Sequence, residues 1–238
     1  MKTVLITGAS RGIGAACAQA FASAGYKVLA NYRSDDSAAE ALKAKTGCTL
    51  YKADVGDLQA VYELRDRIAA DGHTVDVLIN NAGVSLFGLF QHVPVEDAMS
   101  MYRTNLFGTI NCARVFLPQM VDKKDGCIIN MASVWGEVGA SCEVDYSTAK
   151  AAVIGFTKAL AKEVGYSGVR VNCLSPGIID TDMNANLSIE DVEAIVDSIP
   201  LERLGRAEDV AAAALFLAGD GAEYVTGQVL SIDGGWKG

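Results

Sequence analysis

Short apolar runs alternate along this chain with longer stretches in which apolar positions recur every third or fourth residue. The short runs are continuous rather than alternating, so they read as strands buried on both faces. They cover residues 3–7, 27–32, 48–54, 75–83, 126–133, 168–177 and 227–235. The longer stretches read as helices over 12–25, 37–47, 58–72, 94–122, 145–165, 189–199 and 207–219. Gly25 and Gly47 stand where a helix stops, and Pro94 stands where one begins. This alternation of strand and helix predicts a single α/β domain over residues 1–238. Its centre is a doubly wound, seven-stranded parallel sheet with helices on both faces. No linker, repeat or low-complexity segment interrupts it, and the helices around 181–218 form a candidate lid.

Composition narrows the choice of partners. Glycine is abundant at 24 residues while proline numbers only 4, which suits tight turns and close backbone approaches rather than disorder. A net charge of −9 argues against nucleic acid and against an anionic membrane surface, because both need clustered Lys and Arg. The six cysteines contain no C-x-x-C pair and there are two histidines, so no metal site is expected. The cysteines read as small buried apolar residues of a reduced, cytoplasmic protein. The opening segment turns glycine-rich too early for a secretory signal, and no apolar run reaches membrane-spanning length.

Candidate chemistry gathers at the ends of the predicted strands. The first strand runs straight into "TGASRGIG", with Gly8, Gly12 and Gly14, and then into a helix. Such a turn lets backbone N–H groups and a helix N-terminus meet a pyrophosphate. A glycine-rich turn alone is also an ordinary strand–helix connection; its place on the first strand of an α/β alternation favours a dinucleotide. Ser10, Arg11 and Ile13 complete that cradle. A cofactor with a free adenine ribose normally finds Asp or Glu after the second strand. Here the strand ends in Asn31, Tyr32 and Arg33, and Arg11 is near in the turn. Two guanidinium groups suit a 2′-phosphate, which points to NADP(H), although Asp35 and Asp36 follow closely. Asp54, with Val55, ends the third strand and could accept from an adenine amino group or cap the next helix, where Asp57 competes. Asn80, Asn81, Ala82 and Gly83 end the fourth strand, where the asparagines could cross-link strand ends beside a ligand.

Ser133 ends the fifth strand, Tyr146 lies 13 residues on, and Lys150 four beyond that. Positions i and i+4 share a helix face, so the phenol and ammonium can enter one cleft. A tyrosine titrates at about 10 unless shifted, and a neighbouring cation would lower that value. The bland alternative for Y-x-x-x-K is a pair on a helix surface. What raises the functional reading is that the glycine turn, "NNAG", Ser133 and this pair fall in order on consecutive elements.

With "TGASRGIG", Asp54, "NNAG", Asn105 in "NLFG", Ser133, "YSTAK" and "PGIIDT" in place, the chain resembles the short-chain dehydrogenase/reductase family over essentially its full length. The resemblance implies a Rossmann domain and a catalytic tetrad of Asn105, Ser133, Tyr146 and Lys150. In that family the asparagine holds a water that links the lysine to a proton relay. It implies that Lys150 bonds the nicotinamide ribose, and that Ile179 and Thr181, after Pro176 and Gly177, meet the carboxamide. It also implies dimers or tetramers, with a homotetramer the expected assembly.

Two substrates compete. Most of the chain resembles reductases of 3-oxoacyl groups on acyl carrier protein. The stretch "WGEVGASCEVD" departs from their pattern and looks closer to reductases of a 5-aminopentanone carried by elongation factor P, whose substrate bears an ammonium. Three carboxylates, Glu137, Glu143 and Asp145, fall in that stretch and would favour a cationic ketone. Glu137 is the expected substrate contact beside Ser133 and Tyr146, and Asp145 the expected helix cap. Lys123 and Lys124 could instead attract an acidic carrier protein, while Ser167 stands where such reductases often have arginine. An NAD-dependent alcohol dehydrogenase and a non-catalytic dinucleotide sensor are the readings left over.

Overall fold

The computed structural model describes residues 1–184 and 188–236. Seven strands appear, each close to its expected place: β1 (Thr3–Ile6), β2 (Lys27–Tyr32), β3 (Thr49–Lys52), β4 (Val77–Asn80), β5 (Gly126–Met131), β6 (Val169–Pro176) and β7 (Val229–Ile232). All pair in parallel, in the order β3-β2-β1-β4-β5-β6-β7. The order reverses at β1, which pairs with β2 on one side and β4 on the other. In such sheets a crevice opens beyond the carboxyl ends of the strands at that reversal.

The helices of the first half are α1 (Gly12–Ser23), α2 (Asp36–Thr46), α3 (Leu58–Ala70), α4 (Val95–Tyr102) and α5 (Gly108–Lys123). The second half has α6 (Val134–Val138), α7 (Val144–Val164), α8 (Ile189–Ser198) and α9 (Ala207–Ala218). Two apolar layers explain why the strands are apolar throughout. Val4, Ile6, Val28, Ala30, Val77 and Ile79 face the layer that holds Phe21 of α1 and Val210, Ala214 and Leu217 of α9. The alternate residues Leu5, Leu29, Leu78 and Ile128 face Leu64 of α3, Phe116 of α5 and Val164 of α7. Successive strand side chains point to opposite faces, so a sheet covered twice needs apolar residues at every position.

Local signals place several ends. Asp57 caps α3 by accepting from Gln59 N at 2.9 Å, and Asp35 caps α2 by accepting from Ala38 N at 2.9 Å. Gly47 closes α2 at φ 68°. Five cysteines are buried, Cys142 is partly so, and all six are free thiols. Among the described residues no helix is long and apolar enough to cross a membrane.

Three expectations are corrected. The helix over 94–122 is broken by a π-helical turn at Arg103–Phe107 between α4 and α5. That turn brings in Asn105, whose amide both accepts from Val84 N and donates to Val84 O, each at 2.8 Å. Asp145 does not cap α7: it lies inside the first turn and accepts from the Tyr102 hydroxyl at 3.0 Å. Lys123 and Lys124 end α5 at the amino-terminal edge of the sheet, opposite the crevice, where Lys123 pairs with the buried Asp76. Of the candidate lid, residues 185–187 lie outside the described residues.

Ile128 is fully buried between the sheet and the α3–α5–α7 layer. Ile128→Ala is expected to cost about 2–5 kcal/mol, against about 1 kcal/mol for removing the helix cap with Asp57→Ala. Equilibrium urea unfolding of the two variants checks the order.

Candidate functional site

A cleft of about 610 Å³ lies beyond the carboxyl ends of the strands. Its floor begins at the turn from β1 to α1, where Gly8, Ser10, Arg11, Gly12 and Ile13 line it. The turn is tied to the end of β4 by neutral groups. The Thr7 hydroxyl accepts from Asn81 N and Ala82 N, both at 3.0 Å. Asn81 Nδ2 donates to Thr7 O at 2.9 Å and to Gly8 O at 3.0 Å. Gly14 sits beneath this knot. A Cβ there would run into the Gly8 carbonyl oxygen and Asn81 Nδ2, so only glycine lets α1 start so close to the strand ends. Thr7 carries no signal in the sequence beyond its place before the glycine turn.

Asn31, Arg33, Asp54 and Val55 line the same end of the cleft. Asn31 is buried, and its amide donates to Tyr51 O and Ala53 O at 3.1 Å each. It therefore fixes the tips of β2 and β3. Asp54 Oδ1 accepts from Gly56 N at 2.9 Å at the rim. The two acids that follow β2 are engaged elsewhere: Asp35 caps α2, and Asp36 pairs with Lys52 at 2.8 Å. Arg11 and Arg33 are exposed at the rim, and no ion pair to either occurs among the described residues. This end of the cleft thus carries two guanidinium groups beside the Asp35 and Asp54 carboxylates.

At the other end, Ala82, Gly83, Ser133, Tyr146, Lys150, Pro176, Gly177, Ile179 and Thr181 line the cleft. Ser133 sits where β5 passes into α6, and its oxygen accepts from Trp135 N at 3.2 Å. Tyr146 and Lys150 come from the first two turns of α7, with Nζ 5.6 Å from the phenol ring centroid. Lys150 is 4 % exposed, and its ammonium donates to Met131 O at 2.9 Å. Gly83 joins the tetrad spatially: a Cβ on it would lie 3.5 Å from Asn105 Oδ1 and 3.6 Å from Lys150 Nζ. Asn105 itself stands behind that wall, fully buried and engaged with Val84.

Burial dominates the electrostatics here. It pushes the Tyr146 phenol up to about 12, with the Glu143 carboxylate raising it further and a hydrogen bond from Ser133 opposing. It pushes Lys150 down to about 8, with the neighbouring Cys173 opposing. The expectation that the lysine lowers the tyrosine's value is not met in this state. The ammonium is turned to Met131, and desolvation outweighs its charge.

The three loop carboxylates take separate directions. Glu137, the expected substrate contact, is exposed on α6 outside the cleft lining, and accepts from the Ser231 hydroxyl at 3.0 Å. Asp145 is held by Tyr102. Glu143 is half-buried, which raises its proton affinity, and its charge adds to the raised value of Tyr146.

Residues 8–237 match the family model described as enoyl-(acyl carrier protein) reductase. The chain is 41% identical to a 3-oxoacyl-[acyl-carrier-protein] reductase of Chlamydia trachomatis over 239 residues, covering 98% of this chain and 96% of the relative. It is 40% identical to an acetoacetyl-CoA reductase of Shinella zoogloeoides, covering 98% of each. A solved structure of 3-oxoacyl-[acyl-carrier protein] reductase from Brucella melitensis superposes with a TM-score of 0.92 at 34% identity, over 100% of this chain and 91% of that one.

Gly14→Ala is expected to lower thermal stability and to weaken dinucleotide binding at least tenfold, since the new methyl displaces the Gly8–Asn81 knot. A thermal melt and a fluorescence titration with NADPH check both effects. Unchanged affinity would show that the knot does not shape the cradle.

Proposed function

This chain belongs to the short-chain dehydrogenase/reductase family, and on that footing we propose that it reduces the ketone of a 3-oxoacyl thioester on acyl carrier protein, using NADPH. It is an oxidoreductase acting on ketone or alcohol groups. The observation that carries the reading is one buried wall holding Ser133, Tyr146 and Lys150, in the same cleft as the glycine turn. The close relatives named for 3-oxoacyl and acetoacetyl thioesters support the substrate class.

The residues fit a dinucleotide phosphate. The Gly8–Gly14 turn leaves backbone room at a helix N-terminus for a pyrophosphate, and Arg11 and Arg33 supply unneutralised charge for a 2′-phosphate. When bound, the nicotinamide supplies the hydride. Lys150 would hold the nicotinamide ribose, and Ile179 and Thr181 would meet the carboxamide. The Ser133 hydroxyl donates to the ketone oxygen and fixes its position. Tyr146 transfers its phenolic proton to that oxygen as the alcohol forms. Its raised proton affinity keeps it in the donor form near neutrality. The Lys150 ammonium then stabilises the phenolate left behind, until a proton returns from water. Asn105, through its paired bonds to Val84, holds the backbone beside Gly83 and the ammonium in place.

A second reading has one observation of its own. A half-buried carboxylate, Glu143, stands near Tyr146, which suits a ketone that carries an ammonium, such as the 5-aminopentanone on elongation factor P. Parallel assays of acetoacetyl thioester and an amino-ketone separate the two. We also propose a homotetramer. The exposed Val95, Met99 and Phe107 on α4 and the π turn offer apolar surface for self-association, and light scattering measures the mass.

Tyr146→Phe is expected to lower ketone reduction by roughly 10²–10⁴-fold while NADPH affinity stays near the wild-type value. Full activity in that variant would end the proton-donor role. Arg33→Ala together with Arg11→Ala is expected to lower kcat/KM for NADPH by at least tenfold with little change for NADH. A wild-type preference for NADH would overturn the cofactor assignment.

A further inference from the structure

We propose that the hydrogen bond from the Tyr102 hydroxyl to Asp145 holds the first turn of α7, and with it the Tyr146 phenol, where the proton is delivered. Tyr102 and Asp145 are then positioning residues for the reduction. This rests on the reading that Tyr146 is the proton donor.

Tyr146 is only the third residue inside α7. The N–H groups of a first turn lack helical acceptors, and such a turn frays unless something holds it. A side-chain cap is the usual device. Glu143, at the cap position, makes no side-chain bond to the turn. The chain also enters α7 through Cys142 at φ 62°, a left-handed conformation that a cysteine rarely adopts. Asp145, the acid of the first turn, serves α4 instead, accepting from the Tyr102 hydroxyl at 3.0 Å.

The start of α7 is therefore held by ties from outside its first turn. Ala140 N donates to Ser147 Oγ at 3.1 Å, and Gly88 N donates to Cys142 O at 2.8 Å. The third tie is the Tyr102–Asp145 bond, and it lands one residue before Tyr146. Tyr102 is the last residue of α4 and leads into the π turn, where Asn105 is locked to Val84. The far end of the bond is thus anchored. Both partners are partly buried, so water competes little for it. Burial first, and then the bond to Asp145, raise the proton affinity of the Tyr102 phenol and keep it a donor.

The lysine end of the pair is fixed separately. Lys150 Nζ donates to Met131 O at 2.9 Å, and α6 packs against the Lys150 backbone at Gly136. Loss of the Tyr102 bond would leave the ammonium in place and free the turn that carries the phenol. A displacement of that kind lowers the rate of proton delivery, because reacting groups must meet at near-bonding distance.

The test is reduction of acetoacetyl thioester with NADPH, with kcat expressed per NADPH site counted by fluorescence titration. Tyr102→Phe removes the hydroxyl alone. It is expected to lower kcat roughly tenfold, while KM and NADPH affinity stay within about twofold of wild type. Asp145→Ala is expected to fall equally, and the double variant no further, because the two groups act as one. Asp145→Asn keeps an oxygen acceptor and is expected to recover most of kcat. The two Asp145 variants carry the same comparison if Tyr102→Phe melts below the assay temperature. Wild-type kcat in folded Tyr102→Phe, losses that multiply in the double variant, or an Asp145→Asn protein no better than Asp145→Ala overturns the inference, and leaves the proton-donor reading standing if Tyr146→Phe is inactive. An active Tyr146→Phe protein overturns that reading instead.

Discussion

The buried ammonium of Lys150 is the constraint around which the reacting end is built. A lysine at 4 % exposure gives up most of its hydration, and in a protein interior that costs several kcal/mol unless strong partners replace it. The Met131 carbonyl supplies one acceptor at 2.9 Å, so the last residue of β5 must turn its oxygen toward α7. Helix α6 must also lie hard against α7 at this point. Gly136 makes that possible, since a Cβ on it would lie 2.7 Å from the Lys150 carbonyl carbon. The same burial that pulls the lysine down pushes the tyrosine up. The raised phenol and the lowered ammonium are thus two consequences of one packing arrangement.

The phosphate end is made by different means. Its strand tips are joined by neutral hydrogen bonds: Thr7 with Asn81 and Ala82, Asn31 with Tyr51 and Ala53. A buried chain runs deeper, from Asn80 to Asn130 at 2.9 Å, from Asn130 to Thr157 at 2.9 Å, and from Thr157 to Val153 O at 2.8 Å. It ties β4 and β5 to α7, and so links the strand ends to the helix that carries the reacting pair. Neutral amides can be buried this way at lower cost than charges: each Nδ2 here finds an acceptor, and Asn80 Oδ1 is the one side-chain oxygen of this hydrogen-bonded chain left without a donor. Formal charge stays at the exposed rim, on Arg11, Arg33, Asp35 and Asp54.

The sheet was legible in the sequence because both of its faces are apolar, and continuous short runs mean little else in an alternating chain. The helix starts were legible where a cap is local, as at Asp57. The π turn was not, because its cause lies 21 residues away in the backbone of Val84. Ser133, Tyr146 and Lys150 could be grouped from spacing, since i and i+4 on a helix and a strand end just before it leave little freedom. The roles of Glu137, Glu143 and Asp145 could not. All three fall within nine positions, yet Ser231 on β7 holds Glu137, Tyr102 on α4 holds Asp145, and Glu143 is left half-buried. Lys123 read as a docking residue from its charge alone, although its place just before a parallel strand puts it at the amino-terminal edge of the sheet.

That division among the loop carboxylates bears on how this protein selects what it reduces. A cluster of free carboxylates at a cleft mouth would act as a field, drawing in cations over a distance. Such a field is screened within about 8 Å at physiological ionic strength. Here Glu137 and Asp145 are each hydrogen-bonded to a distant element, so they anchor the loop as well as charge it. Glu143 alone of the three bears on the proton affinity of Tyr146. Salt weakens the effect of such a half-buried charge far less than that of a surface field. The loop from Trp135 to Asp145 thus divides its charge: two carboxylates hold it to β7 and α4, and the third bears on the proton affinity of the buried phenol.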